Sequence, residues 1–176
     1  MRGVWQVAAL ALLSVPPAAG AQVVAKATLV PGIVERTAAP EIDLPTLAGG
    51  RTKLSTLRGH PVVITFWGTW CPPCRDEFPA LVSAYQKYRD AGLEVMAVNQ
   101  RDQEINTRDV EDFVKAYSVE FIVALDSRGR SRRDFRLVAL PTTVFVDAEG
   151  VMQTINSGPL NSAQLAAGLA TILPAR

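Results

Sequence analysis

Pro61 to Trp67 reads Pro-Val-Val-Ile-Thr-Phe-Trp, an apolar, β-branched run without the in-out alternation of a half-exposed strand. Such a run marks a strand buried on both faces, so the chain has to build a helix-covered sheet around it. Immediately beyond it lies Gly68-Thr69-Trp70-Cys71-Pro72-Pro73-Cys74, and then Phe78, Leu81, Tyr85 and Tyr88 recur at helical spacing until Gly92. Pro79 falls inside that helix and is expected to bend it, because its ring removes a backbone donor and crowds the preceding turn. Leu93 to Asn99 reads as a second buried strand. A strand, a helix and a strand in this order predict a parallel pair with a right-handed crossover.

The remaining segments extend the same sheet. Glu41–Leu47 and Thr52–Leu54 flank Gly49-Gly50 and predict an N-terminal hairpin. A helix is expected over Asp109–Tyr117, a strand over Phe121–Leu125 and a helical turn over Ser131–Phe135. Thr142–Val146 and Val151–Asn156 read as a hairpin about Ala148-Glu149-Gly150, and Asn161 caps a last helix that Pro174 ends. The fold class is therefore α/β: a central mixed sheet of about five strands with flanking helices.

At 176 residues the chain has room for one domain and an extension. Arg2, the apolar stretch Val4–Val15, Pro16-Pro17 and Ala19-Gly20-Ala21 follow the pattern of a secretory signal peptide over residues 1–21. The apolar part falls short of the roughly 20 residues a membrane span needs, and an uncleaved anchor is the alternative. Residues 22–38 are expected to be a linker, and 39–176 the folded domain. From Gln22 onward, 17 Lys and Arg face 17 Asp and Glu, which offers no electrostatic footprint for nucleic acid. The arginines at 128, 130, 132, 133 and 136 read as a solvated face.

Export gives the two cysteines their meaning. A structural disulfide stabilises by closing a long loop, and Cys71 and Cys74 are only three residues apart. The close pair reads as a redox centre. The attacking species in thiol–disulfide exchange is the thiolate. Cys71, at the end of a strand and the start of a helix, is expected to be exposed near the positive end of the helix dipole. Cys74, one turn further on, is placed to attack a mixed disulfide formed by Cys71. Pro72 and Pro73 suit the first positions of a helix, yet they take away two N–H groups that would otherwise stabilise a Cys71 thiolate. A less stabilised thiolate makes a better reductant.

Other candidates are weaker on spacing alone. Glu77 follows Cys74 by three residues and lies on the same helical face. It reads equally as an acid/base for the sulfurs or as an ordinary first-turn glutamate. Pro141 could be a cis proline, but only about 5–6% of X-Pro bonds in folded proteins are cis. Trp67 reads as core, Trp70 as part of a substrate surface, and His60, the one histidine, as structural. Two cysteines and one histidine fall short of a zinc site, and His60 alone is a poor partner for a cysteine protease.

Three stretches together resemble the TlpA/ResA-like branch of the thioredoxin superfamily, with its redoxin or AhpC-TSA-like domain. They are Phe66-Trp67-Gly68-Thr69-Trp70-Cys71-Pro72-Pro73-Cys74-Arg75-Asp76-Glu77-Phe78-Pro79, then Val95–Asn99, and Leu140-Pro141-Thr142-Thr143. The resemblance runs from about residue 39 to the C-terminus. It implies a thioredoxin fold with Cys71 attacking, Cys74 resolving, and the two joined in a redox-active disulfide. It also implies a cis Pro141, Leu140 offering backbone pairing to substrate beside Trp70 and Pro73, and Glu77 as the active-site glutamate. Thr65 stands where ordinary thioredoxins carry a buried acid, which leaves Glu77 as the acid/base. The loop lacks the Pro-x-x-x-Thr-x-x-Cys context of a peroxidatic cysteine.

The expected activity is a periplasmic disulfide reductase, acting on exported proteins such as apocytochrome c or copper-site assembly proteins. It would be a monomer, re-reduced by a membrane electron donor of the thiol-reducing type. No cofactor beyond the redox-active disulfide is expected, and no metal or nucleic acid. A periplasmic oxidase or isomerase, and a non-enzymatic thiol protein delivering copper, are the alternatives.

Overall fold

The computed structural model describes residues 36–174. The signal peptide and all but the last three residues of the expected linker lie outside them. Of those three, Thr37 and Ala38 already pair with the domain: the Met152 N–H donates to the Thr37 carbonyl, and Ala38 bridges Val151.

The run Pro61–Trp67 becomes β3 (Val62–Trp67), buried at every position and central in a five-stranded sheet. It pairs parallel with β4 (Glu94–Asn99) and antiparallel with β6 (Thr142–Val146). β5 (Ile122–Leu125) adds parallel to β4, and β7 (Met152–Ser157) antiparallel to β6. The order β5-β4-β3-β6-β7 gives the mixed sheet. A two-stranded hairpin, β1 (Asp43–Pro45) and β2 (Arg51–Lys53), precedes it.

Strand alternation divides the core in two. Val63 and Trp67 of β3 face one way, with Val95, Ala97 and Phe145, under α1 (Pro72–Tyr88), α2 (Thr107–Ala116) and α4 (Ser162–Ile172). Phe78 of α1 fits edge-on against Trp67 and against Phe113 of α2, with ring centroids 4.7 and 4.8 Å apart. Val62, Ile64 and Phe66 face the other way. There Ile42, Leu54 and Phe135, which follows α3 (Arg130–Asp134), cover them. The hairpin also shields the β5 edge, because the Leu47 N–H donates to the Val123 carbonyl.

α1 runs through Pro79 as one helix. The proline is on its exposed side, where the freed Arg75 carbonyl can turn to water. A short 3₁₀ turn, Arg89–Ala91, then leads to Gly92, whose φ of 88° is left-handed. His60 has a structural position there, its Nδ1 lying 3.1 Å from the Gly92 carbonyl oxygen.

Candidate active site

β3 ends at Trp67, and four residues carry the chain into α1. Gly68 lies close under the Trp70 ring, and a Cβ there would come within 2.7 Å of the indole nitrogen and push the ring aside. Cys71 is the N-cap of α1 and Pro72 and Pro73 occupy the first two helical positions. Neither proline has an N–H, so the Cys74 N–H is the first that the helix offers, and it donates to Cys71 Sγ at 3.3 Å. The two sulfurs form a disulfide, with Cα atoms 5.3 Å apart.

Cys71 was expected to be exposed, but only 4% of it is accessible, against 1% of Cys74. Trp70, 47% exposed, takes the outward position, and Cys71 is reached through a pocket of about 370 Å³. Trp70, Pro73 and Leu140 share its lining with Cys71, together with Arg132 and the exposed Val138. Leu140–Pro141 is a cis peptide. Pro141 is buried behind the pocket rather than lining it, and its carbonyl accepts the Gly158 N–H at 2.8 Å.

Glu77 also leaves the surface. Thr65 and Thr143 are register partners across β3 and β6, on the sheet face that α1 covers. Glu77, 2% exposed, reaches down to both of them. Its Oε1 accepts from Thr143 Oγ1 at 2.9 Å and from Thr65 Oγ1 at 3.3 Å, and its Oε2 accepts the Leu160 N–H at 3.0 Å. Burial pushes its pKa up, and these three hydrogen bonds only partly offset that. Thr65 on the strand thus becomes a partner of the helix acid.

A second carboxylate is buried beside the Cys71 loop. Glu104, in the loop before α2, accepts the Thr69 N–H at 2.7 Å and the Thr69 hydroxyl at 2.5 Å. Asn99 Nδ2 donates to the same carboxylate at 2.8 Å. On the other side of Thr69, the Arg75 guanidinium donates twice to its carbonyl, at 2.9 and 2.7 Å. Arg132, one of the arginines read as a solvated face, instead pairs with Asp102 at 2.8 Å at the rim of the pocket. No sequence motif marks Glu104, and only its separation of 35 residues from Thr69, closed by the fold, reveals it.

A helix-covered mixed sheet with a Cys-x-x-Cys disulfide at the start of its first long helix defines a thiol–disulfide oxidoreductase of the thioredoxin fold. The chain belongs to the AhpC/TSA family, whose profile matches residues 36–155. It is 35% identical to the thioredoxin-like protein YneN of Bacillus subtilis over 134 residues, covering 76% of this chain and 78% of that one. It is likewise 35% identical to the thiol-disulfide oxidoreductase ResA of the same organism, over 76% of this chain and 73% of ResA. Among solved structures, StoA of Bacillus subtilis superposes with a TM-score of 0.64 at 28% identity, over 74% of this chain and 96% of that one.

Proposed function

We propose that this oxidoreductase is a periplasmic reductase of disulfides in exported proteins. The carrying observation is the missing pair of donors at Pro72 and Pro73. A helix start normally turns several N–H groups toward an anion, whereas here Cys71 Sγ receives only that of Cys74. The reduced form gains less from a Cys71 thiolate than it does where those donors are present, so the pair gives its electrons away more readily.

In the proposed reaction the Cys71 thiolate attacks one sulfur of the substrate disulfide. That S–S bond breaks, the second substrate sulfur leaves as a thiolate, and Cys71 holds the first as a mixed disulfide. Cys74 then passes its proton to the Glu77 carboxylate and attacks Cys71 Sγ, which closes the Cys71–Cys74 disulfide and releases the first sulfur as a thiolate. Two electrons pass to the substrate, whose thiolates take up protons from Glu77 and solvent. Trp70, Pro73 and Leu140 form the surface against which the substrate segment lies, and Pro141 fixes the Leu140 backbone.

Residues 1–21 support the location, since they carry the signal pattern and leave a domain whose chemistry suits an oxidising compartment. Among the described residues no helix is long and apolar enough to cross a membrane. A reductase there needs a membrane electron donor, because the periplasm itself supplies oxidant. The substrates proposed are apocytochrome c and copper-site assembly proteins, met by a monomer that uses no cofactor other than its own disulfide.

Insulin reduction tests the assignment of roles. Cys71→Ser is expected to abolish turnover. Cys74→Ser should keep the first attack and stall as a mixed disulfide visible by mass. A Cys74→Ser variant that turned over, or a Cys71→Ser variant that trapped substrate, would reverse the roles.

A further inference from the structure

We infer that Glu104 is a positioning residue for the redox reaction, acting on Cys71 through Thr69. This rests on the oxidoreductase reading above and adds to it a group outside the Cys-x-x-Cys segment. Glu104 is 9% exposed and comes from a loop that shares no strand or helix with the cysteines. Its two oxygens take three donors: both the N–H and the hydroxyl of Thr69, and the Asn99 amide. The pair on Thr69 fixes that residue in orientation as well as in place.

Thr69 is the hinge between strand and redox centre. On one side lies Gly68, whose carbonyl accepts the Cys71 N–H at 3.2 Å. On the other lies Trp70, the outward wall of the pocket. The Arg75 fork on the Thr69 carbonyl opposes the Glu104 fork on its N–H and hydroxyl, so the loop is held from both faces. Glu104 is itself anchored, since Arg101 Nη1 donates to its carbonyl at 3.2 Å and Arg101 Nε to Thr107 Oγ1 at 3.0 Å. Asn99 turns its amide nitrogen to the carboxylate even though its own Oδ1, fully buried, is left without a partner. An unpaired buried carbonyl is costly, so the Asn99 orientation is dictated by Glu104.

The clamp has two consequences for chemistry. It holds the Trp70–Cys71 segment where an incoming sulfur must arrive in line, and small misplacements of a reacting group can cost on the order of 100-fold in rate. It also puts against Thr69 a carboxylate that has no ion-pair partner among the described residues. Arg75 bonds to Thr69, Arg101 to the Glu104 backbone, and Arg132 to Asp102 on the pocket rim. None of these cations is in an ion pair with the Glu104 carboxylate. Of the other buried acids, Glu77 faces the sheet, and Asp126 accepts the Arg128, Arg130 and Ser131 N–H groups and the Ser131 hydroxyl. A fixed negative charge near Cys71 disfavours its thiolate and so adds to reducing power.

The test uses Glu104→Gln, which removes the charge, Glu104→Ala, which removes the clamp, and Thr69→Val and Thr69→Ser, all in the otherwise complete protein. Glutathione equilibrium, insulin reduction and thermal midpoints are measured for the oxidised and reduced forms. Glu104→Gln is expected to shift the glutathione equilibrium three- to tenfold toward the dithiol. A tenfold shift is about 30 mV for this two-electron couple. Glu104→Ala and Thr69→Val should each slow insulin reduction about tenfold, the double variant should be no slower than either, and Thr69→Ser should keep the wild-type rate. A brace with no role in the reaction would lower both thermal midpoints equally and leave the equilibrium and the rate unchanged, which would overturn the inference. Failure of the reductase reading looks different, since the wild type itself would then not reduce insulin.

Discussion

Glu77 shows how much one residue depends on partners that only the fold brings together. Its position three residues past Cys74 is local, and the sequence shows it; its burial on the Thr65–Thr143 register pair and on the Leu160 N–H is not. Desolvation raises its pKa, so the folded state binds the proton more tightly than the unfolded chain. A group raised in this way stabilises fully below the unfolded value, near 4.5, and that stability is lost as pH rises through the folded value. Glu77→Gln keeps the shape and is neutral throughout; its amide can donate to the two threonines while its oxygen takes the Leu160 N–H. Urea unfolding at a series of pH values should therefore find the two proteins alike below pH ~4, with the variant gaining about 1.4 kcal/mol per pH unit between the two pKa values. The same variant should lose the pH dependence of insulin reduction that Glu77 confers on the resolving step. Equal stability curves for both proteins from pH 4 to 8 would show that burial does not perturb this carboxyl. Cys71 teaches the same lesson in reverse. Its place at a helix start was legible, but its cover was not, because Leu140 approaches it from 69 positions away.

The elements themselves were legible wherever the pattern is local. The double-sided apolar run marks β3, the Asn161 capping box starts α4, and Gly49-Gly50 turns the first hairpin. What the period could not show is how closely two elements approach. α4 packs on β6 with Gly168 directly over the Phe145 ring, so that an added methyl would overlap it. Gly168→Ala raises intrinsic helix propensity by roughly 1 kcal/mol, yet overpacking costs about 1–3 kcal/mol. The net expectation is a protein less stable by up to about 2 kcal/mol in urea, from which Gly168→Ser gives no relief. A stabilised Gly168→Ala variant would mean that the helix can lift off the ring without loss.

For the whole molecule, one sheet carries two cores, and the redox centre is at the end of the strand between them. The face under α1, α2 and α4 holds the cysteines and Glu77, while the N-terminal hairpin and the Phe135 segment close the other. Loops from three separate places meet at Cys71: its own, the one carrying Glu104 and the one carrying Leu140. The sequence located the first and third through their motifs. The second has no motif, and only the contact of Glu104 with Thr69 identifies it. Family membership and the disulfide establish the class of chemistry; its direction rests on how poorly the helix start stabilises a thiolate.

That direction is measured by the equilibrium reduction potential of the Cys71–Cys74 pair against glutathione or dithiothreitol. With a single N–H on Cys71 Sγ and two prolines in place of further donors, the potential is expected close to that of thioredoxin, about −270 mV. A value near about −120 mV, that of a strong disulfide donor, would contradict the account and make the protein an oxidase.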